Sequence, residues 1–257
     1  MTVADAAIAL VIGLVAGVLS GLFGVGGGIV MTPGIQVLLT AEPIVALATP
    51  LPAILPTALT GALTYRRAGE IDTRAARWIV LAGLPASAIG AQVAEVVDTH
   101  ALLFATAALL AWQAVGVLRG AGETAASIED RPIRRAELAG IGLAAGFVSG
   151  LLGIGGGIVM VPLLAGWLGM PLKRALGTSL AAIAALVVPG TVVHAINGNV
   201  DWAIVAAVTA GAVPGARLGA NLALGTRERT LRLLVGSFLL LVSLAYGASE
   251  ATSLFGG

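Results

Sequence analysis

The phrase "GLFGVGGGIVMTP" occupies Gly21–Pro33, and "GLLGIGGGIVMVP" occupies Gly150–Pro162, 129 residues later. Each phrase opens with five glycines in eight residues. A glycine inside a helix costs roughly 1 kcal/mol relative to alanine, so this density needs a cause. Aligned at the same offset without gaps, Ile12–Pro33 and Ile141–Pro162 agree at sixteen of twenty-two positions. The register holds further along. Thr49 falls on Thr178, Gly61 on Gly190, Gly69 on Gly198, Asp72 on Asp201, Pro85 on Pro214 and Gly90 on Gly219. The chain is a duplicated unit.

Composition sets the environment of that unit. Of 257 residues, 58% are hydrophobic and 11% charged, with a mean hydropathy of +1.02. Soluble domains carry about 25% charged residues, so the polar surface here is too small to cover a water-facing globule. The expectation is an all-α polytopic membrane protein. A net charge of +1 leaves no electrostatic footprint for nucleic acid. The absence of cysteine excludes disulfides, thiolate metal sites and cysteine catalysis. Two histidines far apart in sequence argue against a histidine metal site. No basic region precedes the first apolar run, which reads as a retained transmembrane helix rather than a cleaved signal.

Each half divides into five apolar segments, near 5–23, 28–40, 43–64, 76–95 and 100–118, then 136–152, 157–169, 173–194, 202–222 and 230–248. Most approach the ~20 residues that span hydrocarbon. The second and seventh are short. The division is therefore a first membrane repeat over 1–118, a polar cytoplasmic linker over 119–135, and a second membrane repeat over 136–257. Basic residues cluster at Arg66/Arg67/Arg74/Arg77, Arg119/Arg131/Arg134/Arg135, Lys173/Arg174 and Arg227/Arg229/Arg232. All four clusters fall on one face if every segment, short ones included, changes sides. The positive-inside rule then puts these loops in the cytoplasm and both termini outside. An odd number of segments per half makes the repeat inverted, a plan common in secondary transporters.

The glycines have two readings. Gly13, Gly17 and Gly21, matched by Gly142, Gly146 and Gly150, have the i, i+4 spacing that lets membrane helices approach closely. The clusters Gly24, Gly26, Gly27, Gly28 and Gly153, Gly155, Gly156, Gly157 follow a full-length segment and precede a short one. Glycine tolerates backbone angles that break a helix, and a helix restarting at Gly28 or Gly157 presents N–H groups and a positive dipole end to an anion. Broken helices survive in a bilayer only where they line a cavity or lie buried in protein. Tight packing remains the alternative. Soluble nucleotide motifs fail, because neither a Lys-Ser/Thr pair nor a preceding strand accompanies the glycines.

The doubled glycine phrase, the P-x-x-x-x-G runs Pro85–Gly90 and Pro214–Gly219 and the apolar halves resemble the sulfite exporter TauE/SafE family, also called the four-toluene-sulfonate uptake permease family. The resemblance covers essentially the whole chain. It implies a prokaryotic inner-membrane permease moving sulfur-containing anions such as sulfite or sulfonates. It fixes neither the anion nor the direction.

Arg217 lies inside the ninth segment where the first half has Ala88; it is a candidate anion partner, with snorkelling to the basic face as the alternative. Thr49, Thr178 and Ser179 could donate to an oxyanion, or back-bond to a helical carbonyl. Asn221, matched by Gln92, could line the path. Ser20 and Ser149 coincide under the repeat and read as small interface residues. His194 reads as an interfacial histidine near its helix end, and Trp78, Trp167 and Trp202 as interface anchors. The leading expectation is a secondary anion transporter without cofactor, working in a lipid bilayer on a small sulfur-containing anion, with a homo-oligomer compatible. A membrane subunit of another anion transport system and an intramembrane enzyme are the alternatives; the enzyme lacks an evident base or second ligand beside His194.

Overall fold

In a computed structural model the described residues are 2–94, 96, 97, 108, 133–234, 236, 237, 240, 241 and 244. The segment expected over 100–118, the linker core and most of the segment expected over 230–248 lie outside them. Among the described residues all regular structure is helical. The first half contains α1 (Val3–Phe23), α2 (Gly28–Leu38), α3 (Pro43–Ala48), α4 (Pro50–Arg67) and α5 (Thr73–Ala94). The second contains α6 (Arg135–Leu152), α7 (Gly157–Pro162) with a π-helical turn (Leu163–Trp167), α8 (Leu172–Ile196) and α9 (Trp202–Gly225).

Among the described residues six helices are long and apolar enough to cross a membrane: Val3–Phe23, Pro43–Arg67, Thr73–Ala94, Arg135–Leu152, Leu172–Ile196 and Trp202–Gly225. The protein is an all-α polytopic membrane protein. Their outward faces carry Leu10, Val11, Leu14, Leu59, Leu63, Leu81, Ile89, Val192, Leu218 and Leu222 exposed, as lipid contact requires. The two short helices, Gly28–Leu38 and Gly157–Trp167, begin where the glycine phrases place their starts.

Local chemistry sets the ends. Thr2 and Asp5 form a capping box at α1. Asp201 caps α9 by accepting from the N–H groups of Ala203 and Ile204 at 2.9 and 3.1 Å, and Asp72 accepts from Ala75 N–H at the start of α5. Thr49 separates α3 from α4 because Pro50 and Pro52 bring no N–H to the helical ladder. Its repeat partner, Thr178, lies inside an unbroken α8.

Packing crosses between halves. The α1 helix packs along α9, and α6 along α5, with α4 and α8 paired between them. The glycine stripes make these contacts. A Cβ at Gly13, Gly17 or Gly21 would strike the carbonyl of Val208, Ala212 or Ala216. One at Gly142, Gly146 or Gly150 would strike the carbonyl of Ile79, Gly83 or Ser87. Each target is displaced by the same 129 residues as its glycine. The packing role expected for these six glycines is thus visible as backbone-on-backbone contact.

Candidate functional site: two abutting helix breaks

The two glycine breaks form one buried centre. Gly24 ends α1 in the left-handed region at φ 70°, and its N–H donates to Ser20 O; Gly153 does the same for α6 at φ 66°. Gly27 and Gly156, at φ 88° and 75°, precede the first residues of α2 and α7. A side chain would strain any of these four positions. The stretches 24–28 and 153–157 are buried throughout.

The breaks lie back to back. A Cβ on Gly28 would sit 2.8 Å from Ile154 Cα and 2.9 Å from Gly153 O, and one on Gly157 would sit 2.7 Å from Val25 Cα. Ile54 and Ile183, themselves 129 apart, close the centre from α4 and α8: both reach within 3.3 Å of a Cβ on Gly26. Nothing in the sequence marks these isoleucines except their coincidence under the repeat. Close packing accounts for glycine at these positions in the conformation described.

Polar side chains brace the backbone at the first break and join the two halves. Ser179 donates to Gly24 O at 2.8 Å, and Tyr65 donates to Gly21 O at 3.0 Å. Thr178 accepts from Asp72 N–H at 2.9 Å, and Thr49 accepts from Asp201 N–H at 3.2 Å. The latter two are the same bond in two copies, each joining one half to the other. Sequence reading saw both coincidences, Thr49 with Thr178 and Asp72 with Asp201, but had no means of pairing a threonine of one half with an aspartate of the other. Both threonines accept at the start of a helix in the opposite half, the role these bonds give them in place of a back-bond within their own helix.

The remaining sequence candidates lie elsewhere. Arg217 and Asn221 are exposed on α9, next to the exposed Leu218 and Leu222; Gln92 is exposed on α5. His194 is fully buried, two residues before the end of α8 at Ile196. Trp167 and Trp202 are 56% exposed at helix ends, and Trp78 receives Arg135 over its ring at 5.3 Å. Among the described residues the buried polar side chains are serines, threonines, Tyr65 and His194, with no Asp, Glu, Lys or Arg. No cluster of three or more His, Cys, Asp or Glu suited to a metal occurs among them.

Comparison with known proteins places this architecture. The model of the family described as Sulfite exporter TauE/SafE matches residues 9–246. The chain belongs to the TauE/SafE family. A Bacillus subtilis (strain 168) protein named Probable membrane transporter protein YunE is 30% identical over 258 residues, covering 91% of this chain and 94% of the relative. A Xylella fastidiosa (strain 9a5c) protein named Probable membrane transporter protein is 28% identical over 226 residues, 87% of each chain. No solved structure matches the chain. The TauE/SafE protein described here is therefore a multi-pass membrane transporter rather than an enzyme. The relatives' names state transport and no cargo.

Proposed function

We propose that this TauE/SafE transporter is a secondary permease for sulfur-containing anions, such as sulfite or organosulfonates, in a prokaryotic plasma membrane. The glycine breaks would be its substrate site. The observation that carries the reading is two repeat-related helix starts, at Gly28 and Gly157, meeting in a buried centre free of acidic side chains among the described residues. Helix N-termini favour anions without a fixed charge, so release need not break an ion pair. The family's description supports the sulfur chemistry. In this reading Ser179 holds the first break, and Thr49 and Thr178 fix the starts of α9 and α5 in the opposite half. The exposed face of Arg217 supports its snorkelling role.

An inverted repeat would let the two halves rock against each other about this centre. The crossed packing of α1 on α9 and α6 on α5 supports it, with repeats over 1–118 and 136–257 and both termini outside. Single cysteines introduced at Thr2 and Arg229 test the orientation: residue 2 should label from outside and residue 229 from the cytoplasm, and the reverse pattern sinks it.

Counterflow in proteoliposomes without ATP tests the function. Preloaded sulfite, thiosulfate or ethanesulfonate should drive uptake of labelled substrate. Transport appearing only with ATP and a soluble partner would instead favour a membrane subunit of another transport system.

A further inference from the structure

Among the described residues two hydroxyls are related by the repeat, fully buried and without any hydrogen-bond partner: Ser20 Oγ and Ser149 Oγ. Burying a hydroxyl without a partner is costly, and helical serines and threonines ordinarily escape the cost by bonding back one turn. This chain uses that escape elsewhere. Thr57, Thr60, Thr64, Thr191 and Thr226 each donate to the carbonyl four residues earlier, at 2.7–3.0 Å. Ser20 and Ser149 do not. Sequence reading took them for small interface residues, and small size alone would be met by alanine without an orphaned hydroxyl.

Their position says what the hydroxyls are near. A Cβ on Gly27 would lie 3.4 Å from Ser20 Cβ, and one on Gly156 would lie 3.3 Å from Ser149 Cβ. Each serine thus stands against the left-handed glycine that immediately precedes a short helix. Each is in the last turn of the long helix before it, so one hydroxyl from each half borders the abutting breaks.

We infer that Ser20 and Ser149 are ligand residues, each donating its hydroxyl hydrogen to an oxygen of an anion held at the glycine breaks. The inference rests on the reading of the breaks as the substrate site and adds the side chains that recognise the cargo. A hydroxyl donates one hydrogen bond, so each serine would supply one donor to an oxyanion such as a sulfite or sulfonate group.

Purified full-length protein is titrated with sulfite, thiosulfate, ethanesulfonate and sulfate, and its ligand-free melting temperature is recorded on the same preparations. In Ser20→Ala and Ser149→Ala the affinity for the best of these anions should fall about 10- to 100-fold, the value of a hydrogen bond to a charged group. The ligand-free melting temperature should hold or rise, because the substitution removes an unsatisfied polar atom. A purely structural serine would give the opposite pair of results: lower melting temperature and unchanged affinity, which overturns the inference. Ser20→Cys and Ser149→Cys keep the volume with a weaker donor, and should bind between wild type and alanine; binding equal to wild type in all four variants also overturns it. A wild type that binds none of the four anions overturns the substrate-site reading itself, so the two failures are distinguishable.

Discussion

The two halves agree in backbone contact and differ in polar chemistry. Gly17 meets Ala212 as Gly146 meets Gly83, and Thr49 holds Asp201 as Thr178 holds Asp72. Yet Ser179, which donates to Gly24 O, stands where the first half has Pro50, a residue with no donor. Tyr65 stands opposite His194, Ser87 opposite Ala216, Thr32 opposite Val161 and Ala88 opposite Arg217. Duplication has kept what close helix contact requires and released what it does not. A methyl group at a backbone crossing is intolerable in either copy, whereas a single side-chain hydrogen bond is worth only about 0.5–1.5 kcal/mol and can be kept in one half alone.

The sharpest way to break this comparison is at the crossings. Gly17→Ala and Gly146→Ala should destabilise alike, by about 3 kcal/mol, since a Cβ meets backbone that cannot rotate away. For a protein of this size that lowers the melting temperature by roughly 5–10 °C in detergent. A large loss in one variant and none in the other would show that the halves are not equivalent even in their frame.

A smaller effect is expected at the paired threonines. Thr49→Val and Thr178→Val each leave the N–H of Asp201 or Asp72 without its acceptor, at a cost of about 1–3 kcal/mol. Equal losses on chemical unfolding would sharpen the comparison. A loss of anion binding at unchanged stability would return these hydroxyls to the substrate.

The least effect belongs to the least symmetric position. Arg217→Ala should change stability by no more than about 0.5 kcal/mol, as exposed substitutions do, and should leave counterflow near the wild-type rate. Abolished transport by folded protein would move Arg217 into the substrate path.

These expectations show how far a linear reading reaches. The doubled phrase alone marks where each helix breaks, because positive φ at Gly24, Gly27, Gly153 and Gly156 is a demand that glycine meets locally. The starts at Gly28 and Gly157 were legible for the same reason. Helical periodicity of glycine announced close packing along α1 and α6, and composition announced the bilayer.

Partners were not legible. Glycine spacing says that a helix will be approached closely and leaves open by which one; the answer, α9 for α1 and α5 for α6, depends on folding segments distant in the chain onto each other. His194 and Arg217 show the same division. Each was read from its distance to a helix end, whereas burial depends on rotation about the helix axis relative to neighbours that the sequence does not identify. Ser20 and Ser149 show it most plainly. Their coincidence is written in the chain, but that their hydroxyls lack partners is a property of the assembled core. Local backbone demands are set by residue type and can be read in order. Contacts between distant segments depend on which surfaces meet, and tertiary structure alone decides that.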